Sequence, residues 1–145
     1  MVRRVGDKAV FTQAISPEFI DCASTLCRDF NKAHTGEGFP GRDAFEKRIG
    51  TKERIAHGMI IASLVNKPLW EIGGDGVLFG ELKTIRFQKP VQVNDVITVE
   101  VEVIEEKSGG RLILAVRYRN QHGEDVIAPT EATIFLTSNF AQNAP

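Results

Sequence analysis

Several things this chain is short of narrow its class before any motif is weighed. It has two cysteines, Cys22 and Cys27, in 145 residues. They lie five positions apart on a stretch that reads as helix, where a disulfide would join near neighbours and constrain very little, so both are expected to be small core side chains. Two thiols and three histidines supply no cluster at metal-ligand spacing, and no metal site is assigned. Neither sign of charge is in excess. The formal net charge is -1 with 26% charged residues, which leaves no electrostatic case for nucleic acid or an anionic membrane surface. Long apolar runs are missing as well: the longest, Met59 to Val65, is interrupted by Ser63 and falls far short of the roughly 20 residues that span a bilayer. Behind Arg3-Arg4 stands no apolar segment, so neither a leader nor an anchor is expected there, and the cytoplasm is the expected compartment. There is no internal repeat or low-complexity tract.

What is present suits one folded domain over 1–145, with 42% hydrophobic residues to fill its core. Lys8 to Ala14 reads as a short strand. Ser16-Pro17-Glu18 then starts a helix, with Ser as cap, Pro in the first turn and Glu at the positive end of the dipole. Phe19, Ile20, Ala23, Leu26 and Cys27 follow helical spacing and should face the core. From Thr35 to Lys52 glycine and proline break the pattern, and only Ala44 to Arg48 is helix-compatible, so 35–52 is expected to be an extended loop. Ile55 to Leu69 is apolar on nearly every side and reads as one central, buried helix, ended by Asn66-Lys67-Pro68 or followed by a short further turn at Pro68.

The remainder alternates. One strand candidate runs from Phe79 to Phe87. In the next, Val96 to Glu106, Ile97, Val99, Val101 and Val103 alternate with polar residues, the period of a sheet with one wet face. A Ser108-Gly109-Gly110 hairpin leads to Arg111–Asn120, and Gln121 to Glu124 turns into a last strand, Asp125–Thr137. The polar residues 139–145 form a tail. Pattern alone therefore predicts an α+β domain, an antiparallel sheet wrapped around a long helix.

Two histidine motifs carry the chemistry. Asp29-Phe30-Asn31-Lys32-Ala33-His34 puts a carboxylate, an amide and an imidazole within six residues. One group can hold a water, one can orient it and one can exchange its proton near neutral pH. Arg54-Ile55-Ala56-His57-Gly58-Met59 places glycine just before the apolar helix, where main-chain N–H groups could face a developing oxyanion. Each residue also has a plainer use. Asp29 can cap a helix end, Asn31 is a common turn residue, and Gly58 can serve only close packing. His57 can be a satisfied buried histidine, and Ser63 can bond a carbonyl one turn back in its own helix.

Asp-x-Asn-x-x-His, then Arg-Ile-Ala-His-Gly-Met, then Phe87-Gln88-Lys89-Pro90-Val91-Gln92-Val93-Asn94-Asp95 together resemble the MaoC-like, (R)-specific enoyl-CoA hydratase family of hot-dog-fold proteins. The resemblance covers nearly the whole chain, from Val5 to about Leu136. It implies a hot-dog domain that hydrates a trans-2-enoyl thioester, or dehydrates the (R)-3-hydroxyacyl thioester, with Asp29 and His34 as the dyad and Asn31 beside them. Gly58 would stabilise the thioester oxygen, with His57 and Ser63 nearby. No cofactor is implied, because coenzyme A or acyl carrier protein is part of the substrate. A homodimer or a higher even-numbered oligomer is expected. Phe39, Phe45 and Ile49 are candidates for a lid over the acyl chain. Lys32 and Ala33 replace the family's usual proline and larger apolar residue, and Arg28 stands where a small or acidic residue is common. Thioester hydrolysis on the same fold and a non-catalytic acyl-binding subunit are the alternatives.

Overall fold

Ser16 does start a helix in the computed structural model, which describes residues 5–137. Arg3-Arg4 and the expected tail 139–145 lie outside the described residues. The Ser16 side chain accepts from the Phe19 N–H at 3.1 Å, with Pro17 in the first turn of α1 (Pro17–Cys27). This helix follows β1 (Lys8–Ala14). Its buried stripe is Ile20, Ala23 and Ser24, one step of helical spacing. That stripe does not continue as expected: Leu26 is 78% exposed, and Cys22 and Cys27 are both exposed free thiols. Cys22 lies off the stripe. Leu26 and Cys27 belong to the last turn, where the chain reverses at Arg28 in a left-handed conformation (φ 57°) instead of running on over the core.

A four-residue helix, α2 (Lys32–Thr35), comes next, capped by Asn31. The expected loop 35–52 holds a further helix, α3 (Arg42–Ile49), bounded by left-handed Gly41 and Gly50. Arg42 ties this segment together: its guanidinium donates to Glu46 (2.6 Å) and to the carbonyls of Gly36 and Lys52. Phe39 and Phe45 pack edge to face at 5.5 Å. The interval is therefore structured by its own contacts, a possibility that glycine content alone does not reveal.

The expected single central helix is two: α4 (Gly58–Ser63) and α5 (Asn66–Gly73). Pro68 lies in the first turn of α5. It has no N–H for the Leu64 carbonyl and its ring crowds that turn, so the helix cannot run through. Side chains bond main-chain carbonyls around the junction, Ser63 Oγ to the Ile60 carbonyl (2.6 Å) and Asn66 Nδ2 to the Ser63 carbonyl (2.8 Å).

Around these helices curls one antiparallel sheet in the order β1-β3-β4-β5-β2. Its remaining strands are β2 (Leu78–Leu82), β3 (Val96–Lys107), β4 (Arg111–Arg119) and β5 (Asp125–Phe135). β2 ends at Leu82, short of the predicted Phe79–Phe87, and its register slips within the strand between Phe79 and Glu81. Beyond it the chain stays beside β5 through a bridge between Phe87 and Ile127. Alternation in β3 and β4 does sort the faces: Ile97, Val99, Val101, Val103, Leu112, Leu114, Val116 and Tyr118 are all fully buried. The Tyr118 hydroxyl donates to the Ala62 carbonyl at 2.7 Å, pinning α4 to the middle of the sheet. Burial pushes this phenol well above its usual range. Among the described residues no helix is long and apolar enough to cross a membrane.

Candidate active site

The two histidine motifs, separated along the chain, meet because the second is clamped between the run before β3 on one side and the first motif on the other. The Ala56 N–H donates to the Val91 carbonyl (2.7 Å) and the Val93 N–H to the Arg54 carbonyl (2.9 Å). Ile55 then donates to the Ala33 carbonyl at 3.1 Å. Arg54 adds two ties, its Nε to the His34 carbonyl at 2.7 Å and an ion pair to Asp21 on α1. Neither clamp is visible in local spacing.

His34 is buried, and its Nδ1 lies 2.8 Å from the Ile55 carbonyl. A carbonyl can only accept, so Nδ1 carries the proton and Nε2 is turned toward Asp29, 3.5 Å from Oδ2. Asp29 is half exposed. Its Oδ1 accepts from the Asn31 N–H at 3.1 Å, while the Asn31 side chain accepts from the Ala33 N–H at 3.0 Å and caps α2. Asn31 therefore orients the carboxylate through its main chain and uses its side chain for the turn. The arrangement leaves Asp29 Oδ2 and His34 Nε2 as two acceptors side by side, where one water can donate an O–H to each and keep its lone pairs outward.

His57 is 5% exposed and stacks on His34, with ring centroids 3.8 Å apart and planes at 27°. Asp29, His34 and His57 together form the ligand-capable cluster that spacing did not reveal, their atoms within 4.8 Å of one another. His57 Nε2, however, is engaged by the Asp29 carbonyl (3.1 Å) and Ser24 Oγ (3.2 Å).

A cavity of about 800 Å³ opens beside the dyad, lined by His34, Ile49, Ile55, Gly58, Phe87 and Ile127 among others. Gly58 is the first residue of α4, and a Cβ there would stand 2.7 Å from Phe87 Cζ. Its lack of a side chain is thus required for close approach to that ring. Of the three lid candidates Ile49 lines this cavity, whereas Phe39 and Phe45 face each other. Ser63 is not brought to the dyad. It bonds back to Ile60 and lines a separate cavity of about 280 Å³ with Met59, Phe79 and Leu82. Lys32 points to Glu37, a half-exposed pair at 4.0 Å. Ser24, Arg54 and Phe87 are the site-building residues that sequence reasoning did not single out. Arg54 and Phe87 open the motifs quoted above, and Ser24 stands four positions after Ile20 on the apolar spacing of α1.

Comparison with known proteins agrees with this geometry. The family description "MaoC like domain" matches residues 25–125. The chain is 34% identical over 101 residues to an (R)-specific enoyl-CoA hydratase of Aeromonas caviae, spanning 68% of this chain and 69% of that one. It is 30% identical over 134 residues to a 3-hydroxybutyryl-CoA dehydratase of Methylorubrum extorquens, spanning 90% and 78%. An R-hydratase from Pseudomonas aeruginosa, solved in its unliganded form, superposes with a TM-score of 0.77 at 31% identity, over 92% of this chain and 81% of that one. The matched span contains both histidine motifs and the Phe87–Asp95 run, and the curled sheet around its helices is shared. The chain belongs to the MaoC-like domain family of hot-dog-fold proteins.

Proposed function

We propose that the protein is a hydro-lyase that reversibly adds water to a trans-2-enoyl thioester, giving the (R)-3-hydroxyacyl thioester. The observation that carries the reading is the pairing of Asp29 Oδ2 with His34 Nε2 at 3.5 Å, with the other His34 nitrogen anchored on the Ile55 carbonyl. One water bridges the two acceptors and presents its oxygen to the β-carbon. As the C–O bond forms, a member of the dyad takes the water's proton. Negative charge moves to the thioester oxygen, and as it flows back the dyad member returns that proton to the α-carbon on the same face, which makes the addition syn. Gly58, at the start of α4 on the wall of the same cavity, offers its N–H to that oxygen. An N–H at a helix start has no partner within the helix, so the interaction grows as charge develops. The acyl group lies against Ile55, Phe87 and Ile127, and Ile49 of α3 closes one side. Coenzyme A or acyl carrier protein enters as part of the substrate, and no step needs a further cofactor.

A second copy of the chain fits the exposed apolar patch at β2 and α4. β2 is a sheet edge, and Leu78, Phe79 and Met59 are 54%, 45% and 62% exposed. An unpaired apolar edge is a liability unless covered, and a homodimer through β2 and α4 covers it. Sedimentation should show a dimer or higher even-numbered oligomer, and a stable monomer at micromolar concentration would exclude this.

Crotonyl-CoA tests the activity. Loss of enoyl absorbance without release of free thiol is expected. Thiol release would move the reading to thioester hydrolysis, and tight binding without turnover across a panel of enoyl-CoA lengths would make the protein an acyl-binding subunit.

A further inference from the structure

Three groups beside the dyad take no part in the hydration chemistry: Ser24 Oγ, His57 Nε2 and the Asp29 main-chain carbonyl. They form one network. Ser24 is 3% exposed on the inner stripe of α1, and its Oγ lies 3.2 Å from His57 Nε2. The same nitrogen is 3.1 Å from the Asp29 carbonyl. Because that carbonyl can only accept, Nε2 carries the hydrogen and donates to both oxygens, leaving Nδ1 as an unpartnered acceptor. The opposite tautomer is disfavoured twice. It would set a lone pair against the carbonyl and bury an N–H at Nδ1 with nothing to accept it.

Ser24 reaches Asp29 by a second route. Its carbonyl accepts both the Arg28 N–H and the Asp29 N–H, the latter at 3.1 Å. The N–H and C=O of Asp29 are thus both held, one by the Ser24 main chain and the other through a ring that the Ser24 side chain holds. This matters at this position. Arg28 is left-handed without being glycine, an uphill conformation that persists only when its surroundings over-determine it. Ser63 shows the ordinary behaviour of a helical serine, bonding back to Ile60, whereas Ser24 Oγ lies against the histidine.

We infer that Ser24 and His57 are positioning residues: together they fix the main chain at Asp29, and with it the gap to His34, without touching substrate. The kinetic arm of the test rests on the hydration reading and the spectroscopic arm does not. Ser24→Ala should lower kcat on crotonyl-CoA about tenfold, since a misplacement on the order of an ångström is costly in proton transfer. KM should stay within about twofold, because ground-state binding is untouched. His57→Phe keeps a ring stacked on His34 and removes the N–H. Its kcat should fall, and the double variant should fall no further, as expected of two members of one network. Long-range ¹H–¹⁵N spectra should show His57 protonated at Nε2 in the wild type. An unchanged kcat in Ser24→Ala, additive losses in the double variant, or His57 protonated at Nδ1 would each overturn the inference. Should His57→Phe not fold, Ser24→Ala and the tautomer still decide it. Should the wild type not hydrate crotonyl-CoA, the functional reading fails while the tautomer continues to test the network.

Discussion

Replacing Gly58 with alanine sets two effects of similar size against each other and separates stability from function. The new methyl would meet the Phe87 ring at 2.7 Å from Cζ and 2.8 Å from Cε1, well inside ordinary carbon contact. In a sealed core such overpacking costs about 1–3 kcal/mol. Phe87, however, is 51% exposed, and the clashing atoms are the far end of its side chain, so the ring can swing aside. Alanine meanwhile favours the helix by up to ~1 kcal/mol over glycine. The net change in unfolding free energy should therefore lie within about 1 kcal/mol of zero. The ring lines the cavity it shares with His34, and a ring displaced into that cavity competes with substrate. We expect kcat/KM for crotonyl-CoA to fall at least ~10-fold, most of it in KM. Denaturant unfolding and steady-state hydration measure the two parts. Phe87→Ala added to Gly58→Ala should recover much of the loss by removing the displaced ring. A Gly58→Ala protein with wild-type kcat/KM, or one destabilised by more than ~3 kcal/mol, would show that the close approach of α4 to Phe87 does not work as described.

Asp29→Asn and His34→Gln keep volume and remove proton exchange. Each should cut kcat by about 10²–10⁴-fold, with circular dichroism and thioester binding retained, and near wild-type turnover in either would take that residue out of the dyad. Arg28→Gly relieves a left-handed residue, φ 57°, worth about 1–2 kcal/mol, against roughly 0.5–1 kcal/mol of added chain freedom. A small rise in the urea midpoint at constant slope is expected, and a fall would contradict it. Tyr118→Phe removes the bond to the Ala62 carbonyl at a cost of about 1 kcal/mol. Because the folded phenol titrates above its usual value, its protonation contribution is complete below pH ~10 and is lost as pH rises further. The wild type should therefore lose stability in alkali faster than the Phe variant, and phenolate absorbance from the single tyrosine follows the same group directly. Ile49→Ala should change kcat/KM for long enoyl chains more than for crotonyl-CoA, and an unchanged length profile would leave α3 as a connection only.

Local physics was enough for much of this protein. The Ser16 cap, the Pro17 start of α1, the β3–β4 alternation and the hairpin at Ser108–Gly110 depend on residues a few positions apart, and so they can be read from the chain directly. Asp29, Asn31, His34 and Gly58 stand out in the chain because their motifs occur together in the order of the MaoC-like family. What only the tertiary structure decided depends on contacts between distant segments. Burial on α1 stops at Ser24 because the chain turns at Arg28 before Leu26 and Cys27 can reach the core. The central helix divides because Pro68 removes an N–H where apolar periodicity still reads as helix. Phe39 and Phe45 satisfy each other while Ile49 faces the cavity, a choice set by the Arg42 ties and invisible in hydrophobicity. His57 reaches the Asp29 carbonyl, and Ser24 reaches His57, because Arg54 and Ile55 donate to carbonyls of the first motif while the Val91–Val93 run holds the second from its other side. Propensity and spacing act over one or two turns of chain, whereas a pairing of groups about thirty residues apart is settled by which surfaces the sheet brings together.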